Sequence, residues 1–174
     1  MATVAGGLGR AVDFSGGVSP LDFATARTGK RFCMANCGGV LIVIFKGAGA
    51  ASEDQTYTLQ EHTASVSGTT ATLAIITKFW HKTEAGLDGD EAWTLVTQAA
   101  GGTFLIDASE LEEIIVVDVE AQMLSDGYTH VSMNNDGAGS TAQLGCILYV
   151  PYDLKVQRTP ANMPSWLSPG TANA

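Results

Sequence analysis

The sequence predicts an all-β protein, an antiparallel β-sandwich with a jelly-roll-like arrangement of about eight strands. The first observation is composition: 45% of the 174 residues are hydrophobic and only 16% are charged, whereas a helical bundle needs many charged side chains on its exposed faces. The second is a series of short apolar or alternating runs, separated by glycine-rich turns at intervals of about 10–20 residues, which is typical of sandwiches and barrels.

The first 36 residues are expected to form an extended N-terminal arm. They are rich in Gly, Ser and Thr, and the run SGGVSP at 15–20 has turn chemistry. The first strand is expected at GVLIVIFK, residues 39–46, because a continuous apolar and β-branched run is typical of a strand covered on both faces. Residues 37–150 are therefore the predicted sandwich domain.

The other expected strands follow in order along this domain. QTYTLQEH at 55–62 alternates in polarity, which indicates a half-buried strand. ATLAIITKFWHK at 71–82 fits a strand or a short helix, and its β-branched and aromatic content favours the strand. A single helical turn is expected at ASELEE, residues 108–113. The remaining strands are expected at 92–98, 103–107, 113–120, 128–133 and 142–150.

Charge is unevenly distributed, and this limits the classes of partner. The net charge is −9; residues 1–31 contribute +2 and residues 151–174 contribute +1, whereas the central part has three lysines against fifteen acids. An acidic body repels phosphate, so no nucleic-acid partner is expected. No apolar run reaches the roughly 18–20 residues of a membrane span, and the N-terminus lacks a signal-peptide pattern. Synthesis in the cytoplasm is therefore expected.

No metal or cofactor is expected. Three cysteines, Cys33, Cys37 and Cys146, favour free thiols in a cytoplasmic chain, and the C-x3-C spacing without a second pair does not suit zinc. Two loops offer oxygen ligands for calcium, but neither matches the EF-hand pattern, so solvated turns are favoured. The polar residues of these loops are Glu84, Asp88, Asp90 and Glu91 in the first, and Asn134, Asn135 and Asp136 in the second.

The sequence does not predict an enzyme. His62, His81 and His130 are scattered over the strands, and no nucleophile elbow accompanies them. Asp118 and Glu120 could suggest a glycosidase pair, but they share one face of a strand, and that face is expected to be the solvated side of the sheet. The clustered glycines near the N-terminus lack the preceding strand and following helix of a phosphate-binding loop.

The last 24 residues, 151–174, are expected to form an extended C-terminal arm. Four of the five prolines lie here, and proline holds itself and its predecessor extended. Such an arm loses less entropy on binding than a flexible one, and full burial of Trp166 contributes roughly 2–3 kcal/mol. Packing of the arm on its own domain is the alternative. The residues expected to bind a partner are Leu154, Val156, Arg158, Met163, Pro164, Trp166 and Leu167.

Several runs from Cys37 onward, taken in order, suggest a family. They are GGVLIVIFKGA, YTLQEH, KFWHKT, WTLVTQ, LEEIIVVDVEAQMLSDGYTHVSM and the exit AQLGCILYV followed by DLKVQRTPANMP. In this order they resemble the small β-sandwich head proteins of tailed bacteriophages, of the minor capsid or decoration (cement) type. Residues 1–36 lie outside the resemblance, and no functional residues are carried over from it.

The resemblance implies a non-enzymatic virion protein that is added to the outer surface of a capsid, often as a trimer. Its partner would be the major capsid protein, and it would be made in the host cytoplasm. Two alternatives stay open. One is a tail or head–tail component of the same virion. The other is a carbohydrate-binding sandwich that stacks sugars on Trp80 and Trp93, although these and Phe79 are more typical of core or interface aromatics.

Overall fold

The computed structural model describes residues 8–9, 11–106 and 109–155, which form a sandwich of two antiparallel sheets. The all-β prediction is confirmed. No helix among these residues is long and apolar enough to cross a membrane. The strands are β1 (Ser15–Asp22), β2 (Phe32–Cys33), β3 (Gly39–Lys46), β4 (Thr56–His62), β5 (Thr70–Thr72), β6 (Ile76–Glu84), β7 (Thr94–Gly101), β8 (Thr103–Leu105), β9 (Glu112–Glu120), β10 (His130–Asn135) and β11 (Leu144–Tyr152), and one short 3-10 helix spans Ala121–Met123.

One sheet has six strands in the order β1-β11-β3-β9-β6-β7, and the other has the order β2-β10-β4-β5, with β8 also paired to β4. Successive strands cross between the sheets: β3 leads to β4 in the second sheet, and β9, β10 and β11 alternate between the two. The described residues thus contain eleven strands where about eight were expected. The extra strands come from the N-terminal region and from one apolar run that divides.

The core lies between the sheets and is filled by one face of each strand. On β3, Val40, Ile42 and Ile44 are fully buried, and Leu41, Val43 and Phe45 between and after them point outward, as the two-residue period requires. Aromatic rings cross the interior, with Tyr57 stacked on Phe104 at 5.4 Å between ring centroids. The remaining large aromatic side chains of the core are Phe23, Phe32, Phe79 and Tyr149.

The expectation of an extended arm over residues 1–36 is corrected for the part from Ser15 onward. β1 pairs with β11 along its length, and the side chains of Phe23 and Phe32 are completely buried. These apolar side chains, spaced among small residues, contribute to the core between the sheets. Gly17 is required beside the Tyr149 ring, because a Cβ at that position would lie 2.7 Å from a ring carbon.

The apolar run at 71–82 forms strands, as favoured, but it divides between the two sheets. β5 belongs to the smaller sheet and β6 to the larger one. Leu73 and Ile76 are buried on either side of the crossing, so the change of sheet is anchored in the core. The helical turn expected at 108–113 is wrong for its described part, because β9 begins at Glu112 and turns precede it.

A buried ion pair joins β3 to β9. Lys46 is 1% exposed and Glu113 is 2% exposed, and their Nζ and Oε1 atoms lie 3.6 Å apart. The ammonium group also donates to the carbonyl oxygens of Gly47, Ser109 and Leu111 at 3.1–3.3 Å. Burial raises the pKa of Glu113 to about 7 even though the Lys46 charge opposes this shift. Burial likewise lowers the pKa of Lys46.

Candidate interaction surface

The outward side of the six-stranded sheet is apolar, although it faces away from the core. Trp80, Trp93 and Phe45 are 45%, 46% and 39% exposed. A contiguous apolar patch of this kind on a folded chain marks an interaction site more often than isolated exposed residues do. This surface is called the apolar face, and it consists of Leu41, Val43, Phe45, Trp80, Trp93, Leu95, Ile114, Val116, Cys146, Leu148 and Val150.

Strand register places these side chains in rows that run across the sheet. In the central row, Leu148 lies opposite Val43, which lies opposite Val116. Val116 is in turn opposite Trp80, and Trp80 is opposite Leu95. Directly opposed side chains in an antiparallel pair are about 4.5–5.5 Å apart at Cβ. The row is therefore a continuous apolar strip across five strands, from β11 to β7.

The two tryptophans that the sequence offered as a possible sugar platform lie side by side. Trp80, Trp93 and Val116 line a shallow depression of about 330 Å³. Lys82 stands beside it, with its Nζ 5.1 Å from the centre of the Trp93 ring and 3.9 Å from Glu91 Oε2. The cation–π contact helps to orient Trp93. All three lining residues are apolar, which suits an apolar side chain better than a sugar hydroxyl.

Acidic residues lie at both ends of the apolar face. At one end Asp118 and Glu120 follow the apolar residues of β9, and Tyr152 donates its hydroxyl to Asp118 Oδ1 at 2.8 Å. At the other end Glu112 lies opposite Glu84. Asp118 and Glu120 do occupy the outward side of their strand, as the sequence indicated. The face thus combines an apolar centre with acidic groups at its ends, and Lys78 and Lys82 of β6 lie on the same side of the sheet.

The first of the two proposed calcium loops gathers its carboxylates beside this surface. Oxygen atoms of Glu84, Asp88, Asp90 and Glu91 all lie within 4.8 Å of one another. Partial burial, and then the neighbouring carboxylates, raise the pKa of Glu84, whereas the backbone N–H of Gly89 lowers that of Glu91. This is the donor chemistry of a hard cation, but Lys82 already neutralises part of the charge.

The second proposed calcium loop is used internally. Asn134 Oδ1 accepts from the backbone N–H of Gly29 at 2.8 Å, and Asn135 Nδ2 donates to the carbonyl of Phe23 at 2.9 Å. Asp136 Oδ1 accepts from the backbone N–H of Thr56 at 3.0 Å. These side chains were expected in a solvated turn, but they fix the neighbouring backbone because β10 extends to Asn135.

His62 forms the one histidine contact that resembles catalytic geometry in the described residues. Its Nε2 lies 2.8 Å from Ser132 Oγ and its Nδ1 lies 2.9 Å from Thr70 Oγ1. Ser132 is completely buried and His62 is 3% exposed, so no substrate reaches the serine in this arrangement. Burial, and then the charge of Arg31, lower the pKa of His62 to about 4. The neutral ring therefore cross-links β4, β5 and β10.

None of the three cysteines is in a disulfide. Cys146 lies on the apolar face opposite Phe45 and is partly exposed, and burial raises its pKa. Cys33 is partly exposed on β2 in the other sheet, whereas Cys37 is buried. Cys146 is therefore a natural chemical probe of the apolar face, and Cys33 is a reference thiol on the opposite side.

Of the seven residues expected to bind a partner, only Leu154 is described. It is partly buried and packs against the core of its own chain, and its binding to a partner stays a prediction. The other six, Val156, Arg158, Met163, Pro164, Trp166 and Leu167, lie outside the described residues. The last strand of the described residues, β11, ends at Tyr152 and so includes the first two residues of the region expected as the arm.

The apolar run at residues 39–46 is the sequence signal for the apolar face. Residues 39–46 were expected to be covered on both faces, yet in the described residues the outward side of β3 has no covering layer, and Phe45 is 39% exposed. A strand pattern suited to two buried faces, with only one of them buried by the described residues, indicates that a further segment or molecule covers the other. Comparison with known proteins finds no matching family model, curated protein or solved structure.

Proposed function

We propose that this protein is a structural virion protein that decorates the outer surface of a bacteriophage capsid as a homotrimer and stabilises contacts between capsomers. The apolar face is the observation that carries the proposal. A sandwich in which no described residues cover the outer side of one sheet is suited to assembly with other subunits. The resemblance of the sequence to phage head proteins is the reason for proposing a capsid as the assembly.

Attachment in this proposal is multivalent. Each subunit contributes a C-terminal segment, residues 156–174, with spaced apolar side chains that engage a neighbouring molecule, either another subunit or the major capsid protein. Several weak contacts within one oligomer act at high effective concentration and add up to a firm attachment. The acidic body, at −12 over residues 32–150, discourages particles from adhering to one another.

Deletion of residues 156–174 tests the proposal. The cut leaves Leu154 and all of β11 in place, so the truncated protein should fold, while its occupancy on capsids that lack the native protein should fall at least tenfold. A shorter deletion of residues 170–174 is the matched control, because it keeps Trp166 and Leu167. Full occupancy by the longer truncation, measured by sedimentation of capsids, would refute the role of the segment.

Two other functions remain as alternatives. A tail or head–tail component would share the same sandwich, and electron microscopy of labelled virions separates it from a capsid decoration protein. A carbohydrate-binding module is favoured by one specific observation, the adjacent exposed rings of Trp80 and Trp93. Binding on a glycan array that is lost in Trp93→Ala would support that function, while a blank array would leave the structural role as the better account.

A further inference from the structure

We infer that the apolar face of one subunit is the docking surface for residues 156–174 of a second copy of this chain. The inference rests on the proposed function only in assuming that the C-terminal segment acts on another molecule. It adds the identity of the acceptor: the strip formed by Leu148, Val43, Val116, Trp80 and Leu95, with the Trp80–Trp93 depression as the seat for Trp166.

The size of the face suits a segment better than a second sheet. Fully exposed aromatic side chains present roughly 150–250 Å² each, so the exposed fractions of Trp80, Trp93 and Phe45 leave roughly 200–330 Å² of aromatic surface. With the neighbouring leucines this reaches the range of functional patches on single chains. It stays below the roughly 800 Å² per partner of a standard rigid interface. An extended segment can cover such a strip without a large flat contact.

The C-terminal segment has the length and chemistry that this surface requires. Its 19 residues span roughly 59 Å when extended at about 3.1 Å per residue, and the strip crosses five strands over about 19 Å. The only charged side chain of the segment is Arg158, which complements the acidic ends of the face at Asp118 and Glu120. Met163, Trp166 and Leu167 supply apolar side chains for its centre.

The described chain reaches Lys155 at one end of the sandwich, between the two sheets. After β11 the backbone turns at Asp153, which has a φ of 50°, and Leu154 packs against the core. The backbone N–H of Lys155 donates to Asn36 O at 3.0 Å, and its Nζ donates to Ala35 O at 3.3 Å. Ala35 and Asn36 lie in the loop between β2 and β3, so the C-terminal segment starts at one end of the sandwich, from which it can reach the apolar face of a neighbouring subunit.

A contact of this kind is heterologous, since the donor segment and the acceptor face are different surfaces of the same chain. Such head-to-tail contacts close into a ring when the rotation between subunits allows it. Three subunits, each giving one segment and receiving one, would form the trimer of the proposed function. Every apolar face in the ring would then be covered.

Alkylation of Cys146 by iodoacetamide, followed by peptide mass spectrometry, tests the inference. The acceptor is a chain ending at Lys155, which contains every strand of the sandwich. The donor is the full chain with Cys146→Ser, so only the acceptor reports at this position. Addition of the donor should slow acceptor alkylation at Cys146 at least tenfold, with a dependence on donor concentration, while Cys33 on the other sheet should react at an unchanged rate.

Other outcomes overturn the inference in recognisable ways. One such outcome is that the donor, at any concentration, leaves the alkylation rate of acceptor Cys146 unchanged, while Cys146 in the intact full chain reacts slowly at every dilution. This result would mean that the segment covers the sheet of its own chain. Equal rates in the truncated and full chains mean that the segment does not cover the face. Slow alkylation of the acceptor alone, together with a dimer by light scattering, means that two faces pack directly.

Two point variants of the donor test the contact made by Trp166, and the alkylation rate of acceptor Cys33, compared with that of the full chain, shows whether the truncated chain is folded. The donor with Trp166→Ala should protect Cys146 at least fivefold less than the parent donor, and Asn173→Ala, beyond the apolar side chains, should protect as well as the parent. If the two variants protect equally, the assignment of Trp166 to the depression is wrong. Capsid binding is measured separately: protection without capsid binding overturns the proposed function alone, and capsid binding without protection overturns this inference alone.

Discussion

Replacing Glu113 with Gln should change how the stability of the protein depends on pH. The carboxyl group is 2% exposed beside Lys46, and burial raises its pKa from 4.5 to about 7. The folded state therefore holds this proton more tightly than the unfolded state does. The resulting stabilisation is fully present below pH 4.5 and is lost as the pH rises to 7.

The magnitude follows from the two pKa values. One pKa unit corresponds to 1.36 kcal/mol, so a rise of about 2.5 units removes about 3 kcal/mol of unfolding free energy between pH 4.5 and pH 8. Glutamine has no such proton. The unfolding free energy of Glu113→Gln, relative to that of the parent protein, should accordingly rise by about 3 kcal/mol over this range.

Urea unfolding at several pH values between 4.5 and 8, followed by circular dichroism, measures this difference. Glu110→Gln is the matched control, because it removes the same charge at an exposed position three residues away. Its profile should run parallel to that of the parent protein. Parallel profiles for Glu113→Gln as well would refute the reasoning, because they would mean that Glu113 does not change its proton affinity on folding.

Three further predictions concern the fold. The pKa of His62 is lowered from 6.5 to about 4, so the stabilisation from its neutral ring is present above pH 6.5 and is lost on acidification. The unfolding free energy of His62→Gln, relative to that of the parent protein, should therefore rise by about 3 kcal/mol as the pH falls from 7.5 to 4 in the same assay. Gly137→Ala should lower the unfolding free energy by roughly 1–3 kcal/mol more than Gly127→Ala does. Both glycines have a positive φ, but only at Gly137 would an added Cβ lie against the backbone of Ala26. Equal changes in melting temperature for the two variants would contradict this. Tyr149→Phe should lower the unfolding free energy by roughly 1–3 kcal/mol. The buried hydroxyl of Tyr149 accepts a hydrogen bond from one main-chain N–H and donates one to a carbonyl, each at 3.0 Å. An unchanged urea unfolding curve would contradict this, because it would mean that water replaces both bonds.

The first two titrations oppose each other in the parent protein. Between pH 4.5 and pH 6.5 Glu113 stabilises the fold increasingly as protons are added, and His62 destabilises it increasingly. Each slope approaches about 1.4 kcal/mol per pH unit. The unfolding free energy of the parent protein should therefore change little from these two titrations over this pH range. In each single variant, the pH dependence of the unfolding free energy should show the slope due to the remaining group.

The strands were largely predictable because their signals are local. The two-residue alternation of 55–62 and the continuous apolar run of 39–46 come from side chains that must meet the core, and β3 occupies the same residues as the predicted strand. The strands before residue 37 could not be predicted, for the opposite reason. Phe23 and Phe32 sit among glycines and polar residues without periodicity, and only β11 and β10, far along the chain, give them partners.

The candidate surface was likewise predictable only in its local features. Sequence alone singled out Trp80 and Trp93 and the acidic loop, since residue type carries that chemistry. It did not reveal that β11, β3, β9, β6 and β7 lie side by side, and this order turns five separate outward residues into one apolar strip. The pairing of Lys46 with Glu113 was hidden too, because the two are 67 positions apart in the chain.

Residue type and short-range pattern thus determined that this chain makes strands, that its body is acidic and that its C-terminal segment is apolar and rich in proline. Tertiary structure alone decided which strands are neighbours, which face of the sheet stays uncovered and where the chain leaves the sandwich. The physical reason is range: alternation and proline restrict backbone angles within a few residues. Register and strand order depend on contacts between distant segments, which the burial of the whole core selects.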